Sequence, residues 1–336
     1  MNNIILYITI LFCIILTFIK TKKTEITNLM DKQSTDTFRG LAIIAIVFTH
    51  YTQININSNA FLSVFLYTGG ICTGVFFFLS GYANYYSLQK NETKSIIWLI
   101  NKVSRIFFTY LIVYFIDIIL LKIFNNEIIP TNIVFEQLLT MKLPNWINWY
   151  LKVQVGAYIF YWLVFNTKKY EVISLFVISI IFIYIMRKNG FPDFWWNSIL
   201  CFPLGVMIAR YKNKIVTILD KKYILALLIP LCLFFVMTFN MNIEISAIYG
   251  ILSPILFCIM LIIFLSRYSV KSTILGFVGS ISLEIYLWHL VFIKIFFTGF
   301  FVIKNIHILL IIFYASILVM SYSTQKLIKF ALKRVR

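Results

Sequence analysis

The sequence predicts an all-α fold, a polytopic transmembrane helix bundle of about eleven spans. Three observations carry that expectation. Of the 336 residues, 61% are hydrophobic and only 12% charged, with a mean hydropathy of +0.91, far outside the makeup of a soluble domain. Apolar runs of roughly 17 to 25 residues, the length that crosses a bilayer, recur along nearly the whole chain. Alternating segments of about ten residues, the mark of a membrane barrel, are missing.

The runs fall at residues 3–19, 39–55, 61–86, 104–124, 148–166, 171–186, 194–210, 223–239, 246–265, 275–297 and 307–326. The first is followed, not preceded, by basic residues ("KTKK", Lys20 to Lys23) and lacks a small-residue cleavage site, so it reads as a retained helix rather than a signal peptide. Two units result: residues 1–30, an N-terminal transmembrane helix with a basic cytoplasmic linker, and residues 31–336, the main membrane domain. The longest polar stretches, 20–38 and 125–147, leave no room for a soluble domain between spans. The second is partly amphipathic and is expected to lie on the membrane or dip into it.

The formal charge of +18 would suggest nucleic acid in a soluble protein, but here the position of the basic residues decides. With the N-terminus outside, all but seven of the 30 Lys and Arg (Lys122, Lys142, Lys152, Arg187, Lys188, Lys294 and Lys304 excepted) fall in inner segments. The positive-inside rule therefore predicts a multi-pass cell-membrane protein with its N-terminus outside and its C-terminus cytoplasmic, and no nucleic-acid partner. Cys13, Cys72, Cys201, Cys232 and Cys258 all lie in apolar runs with no CxxC pair. Neither a disulfide framework nor a metal site is expected.

The second run opens as "DTFRGLAIIAIVFTHY", Asp36 to Tyr51. Eleven residues of helix separate Arg39 from His50, about 16.5 Å of rise and roughly 20° past three full turns, so the two share a face. Arg39 then sits at a membrane boundary and His50 near the middle of the hydrocarbon layer. A histidine at that depth is costly unless it faces protein or water, and its default reading is functional; the bland alternative is a hydrogen bond across the bundle. Asp36, three residues before Arg39, can pair with it on the same face.

That motif, with its Asp, Arg-Gly and following His, resembles the opening of the acyltransferase family 3 membrane proteins. Further stretches agree in order: "GGICTGVFFFLSGY" (Gly69 to Tyr82), "NKVSRIFFTY" (Asn101 to Tyr110), "LGFVGSISLEIYLWHLV" (Leu275 to Val291) and, more weakly, "NWYLKVQVGAY" (Asn148 to Tyr158). The resemblance implies a ten-helix core, here with one extra N-terminal helix, that takes an acyl-CoA donor, commonly acetyl-CoA, from the cytoplasmic side. The acceptor it implies is a sugar hydroxyl at or beyond the outer face. His50 is then the reaction centre, as general base or as the nucleophile that carries the acyl group. Asp36 and Ser80 are further catalytic candidates, although a serine beside Gly81 in a membrane helix also reads as a packing residue. Arg39, Lys102 and Arg105, with Lys90 and Lys94 nearby, are candidate partners for the donor's phosphates. Trp149, Trp288 and His289 are candidates for the substrate cavity, and tryptophans Trp146, Trp149, Trp195 and Trp196 could stack on sugar or form an interfacial belt.

The pattern is not matched everywhere. Gln154 stands where many members carry Glu, and the "VSRIFF" stretch lacks the proline that often follows its arginine. The lipid bilayer and a carbohydrate acceptor are the expected partners; the sequence names no protein partner. The competing class is a carrier that moves a glycan or glycolipid past the same buried polar residues.

Overall fold

The computed structural model of the chain describes residues 20–23, 30–54, 68–89, 95–125, 128–144, 149–165, 167–239, 246–297 and 306–334. The expected span 3–19 and the candidates Lys90, Lys94 and Trp146 lie outside them. Among the described residues the fold is all-α apart from one two-stranded ribbon. In chain order come β1 (Lys20–Lys23), α1 (Lys32–Ile54), α2 (Thr68–Gln89), α3 (Ser95–Asn125), α4 (Thr131–Leu139) and α5 (Trp149–Phe165). There follow α6 (Glu171–Lys188), α7 (Cys201–Arg210), α8 (Lys212–Phe239), α9 (Ser246–Leu265), β2 (Tyr268–Lys271), α10 (Thr273–Ser280), α11 (Ser282–Phe297) and α12 (Ile306–Arg334).

The burial pattern suits a lipid solvent. Ile43, Phe77, Phe78, Tyr110, Tyr161 and Trp288 fill the interior, while large apolar side chains on α3 (Phe115, Ile119), α6 (Ile173, Ile180) and α12 (Ile311, Val319) are exposed. Three described helices are long and apolar enough to cross a bilayer unaided: Ile96–Phe124, Ala247–Leu265 and Ile308–Ala331. The pair α10 and α11, bent by 76°, makes a fourth if it counts as one span.

Two expected spans are built differently. Residues 194–210 are not a single helix: a 3-10 turn, Asp193–Trp195, leads into the ten-residue α7, too short to span alone. Residues 275–297 break at Ile281. A break frees carbonyls that lipid cannot satisfy, and here the Gln325 side chain of α12 donates to the Ser280 carbonyl. The polar stretch 125–147 contains α4, which is tied back to α3: the Tyr110 hydroxyl donates to the Gln137 carbonyl at 2.8 Å and that of Tyr114 to Gln137 Oε1 at 2.9 Å.

Backbone contacts at glycine set the helix packing, as expected where lipid supplies no hydrophobic drive between helices. A Cβ on Gly40 of α1 would strike the Leu275 carbonyl of α10, and one on Gly279 of α10 would strike the Asp36 carbonyl of α1. Gly81 and Gly205 bring α2 and α7 together in the same way. The ribbon closes this end of the bundle. β1 pairs antiparallel with β2, Lys20 opposite Lys271 and Lys23 opposite Tyr268. Lys271 Nζ reaches Asp31 Oδ2 at 3.3 Å, and the Ser272 amide donates to Thr37 Oγ1 at 3.1 Å.

Asp31 also caps α1, accepting from the Ser34 amide at 2.9 Å. Burial alone would raise its pKa, but the Ser34 amide and Lys271 outweigh burial and hold the carboxyl below its ordinary range. With the folded value depressed, the contribution is present above the unfolded pKa and fades as pH falls through the folded one. Asp31→Ala should therefore cost about 1 kcal/mol near neutral pH, and the gap between variant and wild-type thermal unfolding in detergent should close in acid. Gly279→Ala should lower the unfolding temperature through overpacking of about 1–3 kcal/mol. Gly276→Ala, whose Cβ meets nothing within 4 Å, should leave it unchanged.

Candidate active site

The bend between α10 and α11 opens a cavity of about 460 Å³ among α1, α2, α3, α5 and α12. Charge collects on one part of its wall: Lys32, Arg39, Lys102, Arg105 and Lys329, against the single lining acid Asp36. Arg39 Nη1 lies 3.2 Å from Asp36 Oδ1, the i, i+3 pair expected from the sequence. Lys102 and Arg105 lie inside α3, which begins at Ser95 rather than at the expected residue 104. Lys102 Nζ stands 6.0 Å over the Trp98 ring. Arg105 lies 4.0 Å from Glu284, a fully buried carboxylate on α11. Ser282 and Leu283, in the first turn of α11, also line the cavity, and a helix N-terminus favours an anion.

Facing this basic wall is a neutral polar one. The Tyr150 hydroxyl donates to Gln154 Oε1 at 3.1 Å, and Gln154 Nε2 donates to Ser80 Oγ at 3.0 Å. Asn84 Nδ2 also donates to Ser80 Oγ, at 3.2 Å, while Ser80 donates to the Tyr158 hydroxyl at 3.3 Å. The network explains Gln154: a carboxylate could accept from Tyr150 but could not donate to Ser80. It also corrects the candidacy of Ser80 as nucleophile. Its proton is committed to Tyr158 and its partners are amides and a phenol, with no imidazole among the described residues in place to activate it.

His50 lies deeper. Arg39 and Ile46 line the cavity, and His50 is one turn beyond Ile46 on the same face, as the spacing predicts. It is half-buried, with Nδ1 2.9 Å from Gln53 Oε1. Its ring lies 5.2 Å, centroid to centroid, from that of His289. The rings of Tyr286 and Tyr150, 5.1 Å apart, both line the cavity, and Tyr286 is 5.7 Å from His289. Tyr286 thus joins the cavity lining to His289.

Not every expected site residue joins this constellation. Asp36 cannot assist His50, since fourteen residues of helix place it about 21 Å away; it holds Arg39 instead. Trp288 is fully buried and donates to Thr324 Oγ1 at 3.0 Å, on the side of α11 that meets α12 and off the cavity. Trp149 packs on Phe194 with ring centroids 5.6 Å apart, and it too is off the cavity lining. Trp196 is neither belt nor sugar platform, being 1% exposed and donating to the Phe191 carbonyl. His289 is fully buried and is not among the cavity-lining residues.

Sequence reasoning missed Asn84, Tyr158, Tyr286 and Lys329. The stripe Tyr150, Gln154, Tyr158 was legible as an i, i+4 series; Lys329 was absorbed into the basic C-terminal tail. Cys201 and Cys258 are buried, Cys72 is half-buried, and Cys232 is exposed. No group of three His, Cys, Asp or Glu converges as metal ligands among the described residues.

A family model described as an acyltransferase domain matches residues 32–324, from the first turn of α1 into α12. No curated protein and no solved structure matches the chain significantly.

Proposed function

This chain belongs to that acyltransferase family, a membrane family, and we propose that it is an O-acyltransferase of the cell envelope. In this reading it transfers an acetyl or other short acyl group from acyl-CoA to a hydroxyl of an envelope or exported polysaccharide, or of its precursor. The observation that carries the reading is one helix face bearing Arg39 in a basic cavity wall and His50 one turn beyond the cavity.

The donor's phosphates belong on Arg39, Lys102, Arg105 and Lys329, five lining cations with Lys32 included. Asp36 fixes Arg39 by the 3.2 Å contact, a positioning role. Charge-assisted bonds of this kind are worth roughly 1.5–3 kcal/mol each. The basic wall faces the cytoplasm, with most of the chain's Lys and Arg on that side, and the acceptor approaches from the opposite face. The separation of Arg39 from His50, about 16.5 Å along the helix, suits a donor whose phosphates and thioester are far apart.

His50 then acts as general base on the acceptor hydroxyl or as the nucleophile that carries the acyl group. With Nδ1 engaged by Gln53 Oε1, the neutral ring keeps its proton there and leaves the Nε2 lone pair for either role.

Membranes holding the chain and its glycan, supplied with acetyl-CoA labelled in the acetyl group, should transfer label to polymer. His50→Ala should lower transfer at least about a hundredfold at unchanged protein level. Equal label with both proteins would make His50 structural. Label with neither, across a panel of short acyl-CoAs, would favour a glycan carrier. Arg39→Ala should raise the KM for acyl-CoA about tenfold, the loss of one charge-assisted phosphate contact; an unchanged KM would remove Arg39 from the donor site.

A further inference from the structure

His289 carries a buried lone pair that the reaction as described leaves unused. Its Nδ1 is 3.0 Å from the Ile285 carbonyl one turn back, so the neutral ring keeps its proton on Nδ1. Nε2 is then an acceptor, and it is buried with no hydrogen-bond partner among the described residues. An orphaned acceptor of this kind is costly, which makes a partner that arrives during turnover the natural explanation. The nearest candidate is the ring of His50, 5.2 Å away and tilted by 34°. Rotation of either ring can bring two nitrogens to about 3 Å.

In the general-base route His50 takes up a proton at Nε2 and its ring becomes cationic, and that N–H needs an acceptor beside it. Among the described residues no carboxylate acts on either imidazole. Asp36 is bound to Arg39, and Glu284 stands against Arg105, about 140° around α11 from His289. Gln53 already occupies Nδ1 of His50. The group left to face the charged ring is His289 Nε2.

We propose that His289 is the positioning residue of the reaction centre, its Nε2 accepting the N–H of the imidazolium formed on His50. The proposal rests on the acyltransferase reading above. In the general-base route the acceptor O–H bond breaks and its proton passes to His50 Nε2 as the acceptor oxygen bonds the thioester carbonyl carbon. The proton is held between the two Nε2 atoms until the C–S bond breaks, then passes to the leaving thiolate, giving ester and free thiol. His289 ends the cycle as it began, neutral and with its lone pair restored.

The test is His289→Phe, which keeps a ring in the core and removes the lone pair. The expected result is a monodisperse protein with kcat for acetyl transfer lowered at least about tenfold and a KM for acetyl-CoA within about twofold of wild type. A merely structural role would instead lower the amount of folded protein or move both constants. Wild-type kcat in His289→Phe overturns the proposal. If that variant does not accumulate, His289→Leu, which fills the site and also lacks an acceptor, is read by the same kcat criterion. Failure of the acyltransferase reading is separate, because wild-type protein would then show no transfer at all.

Discussion

The contact on which the site depends is that of two backbones, α1 and α10, at Gly40 and Gly279. Each glycine lies where a side chain would strike the other helix's carbonyl, Leu275 in one case and Asp36 in the other. In lipid, where apolar side chains gain nothing by leaving their solvent for one another, such close approach is a main source of helix association. The contact brings the break at Ile281 beside the turn of α1 that carries Asp36 and Arg39. From there α11 leaves at 76°, and the cavity is the space the bend leaves open. Gln325 meets the Ser280 carbonyl freed by the break, so α12 is drawn in, and Lys329 one turn later reaches the same cavity.

The basic wall carries its own tension. Arg39, Lys102 and Arg105 lie close enough for their charges to act on one another, which opposes assembly of the wall when no anion is bound. Partial exposure offsets this: the Arg105 side chain is 50% exposed and that of Arg39 29%. Asp36 and Glu284 supply the remaining counter-charge. In the proposed reading a phosphate-bearing donor meets cations whose mutual repulsion it relieves, and the protein has already met the cost of bringing them together through glycine contacts remote from the ligand.

What could be read in the sequence was local. The shared face of Arg39 and His50 follows from helical periodicity alone, and so does the Asp36 to Arg39 pair. The expected span at 223–239 begins at the kink in α8, where Lys222 leaves helical geometry. Long-range placement was not legible. Hydropathy runs unbroken through "LGFVGSISLEIYLWHLV", and the bend at Ile281 is a tertiary contact that composition does not register. Trp288 and His289 are neighbours with opposite fates, one turned to Thr324 and the other to His50, and only the packing of α11 between α1 and α12 separates them. Ser80 reads from the sequence as either nucleophile or packing residue; its three hydrogen bonds need Gln154 and Tyr158 from α5.

The distribution of charge explains why a neutral imidazole pair suits this position. Asp31, Asp36, Glu171 and Glu284 stand against Lys271, Arg39, Arg210 and Arg105 respectively. A carboxylate beside His50 would have no such cation, and an unpaired charge in a low-dielectric interior costs several kcal/mol. Gln53 and His289 avoid that cost because they are uncharged at rest, yet both present lone pairs when the ring they face becomes cationic. The same logic holds on the cavity's neutral wall, where Gln154 links Tyr150 to Ser80 without adding a charge. Fixed charge is thus kept beside an opposite charge, and in the proposed reaction charge arises at the imidazoles only during turnover.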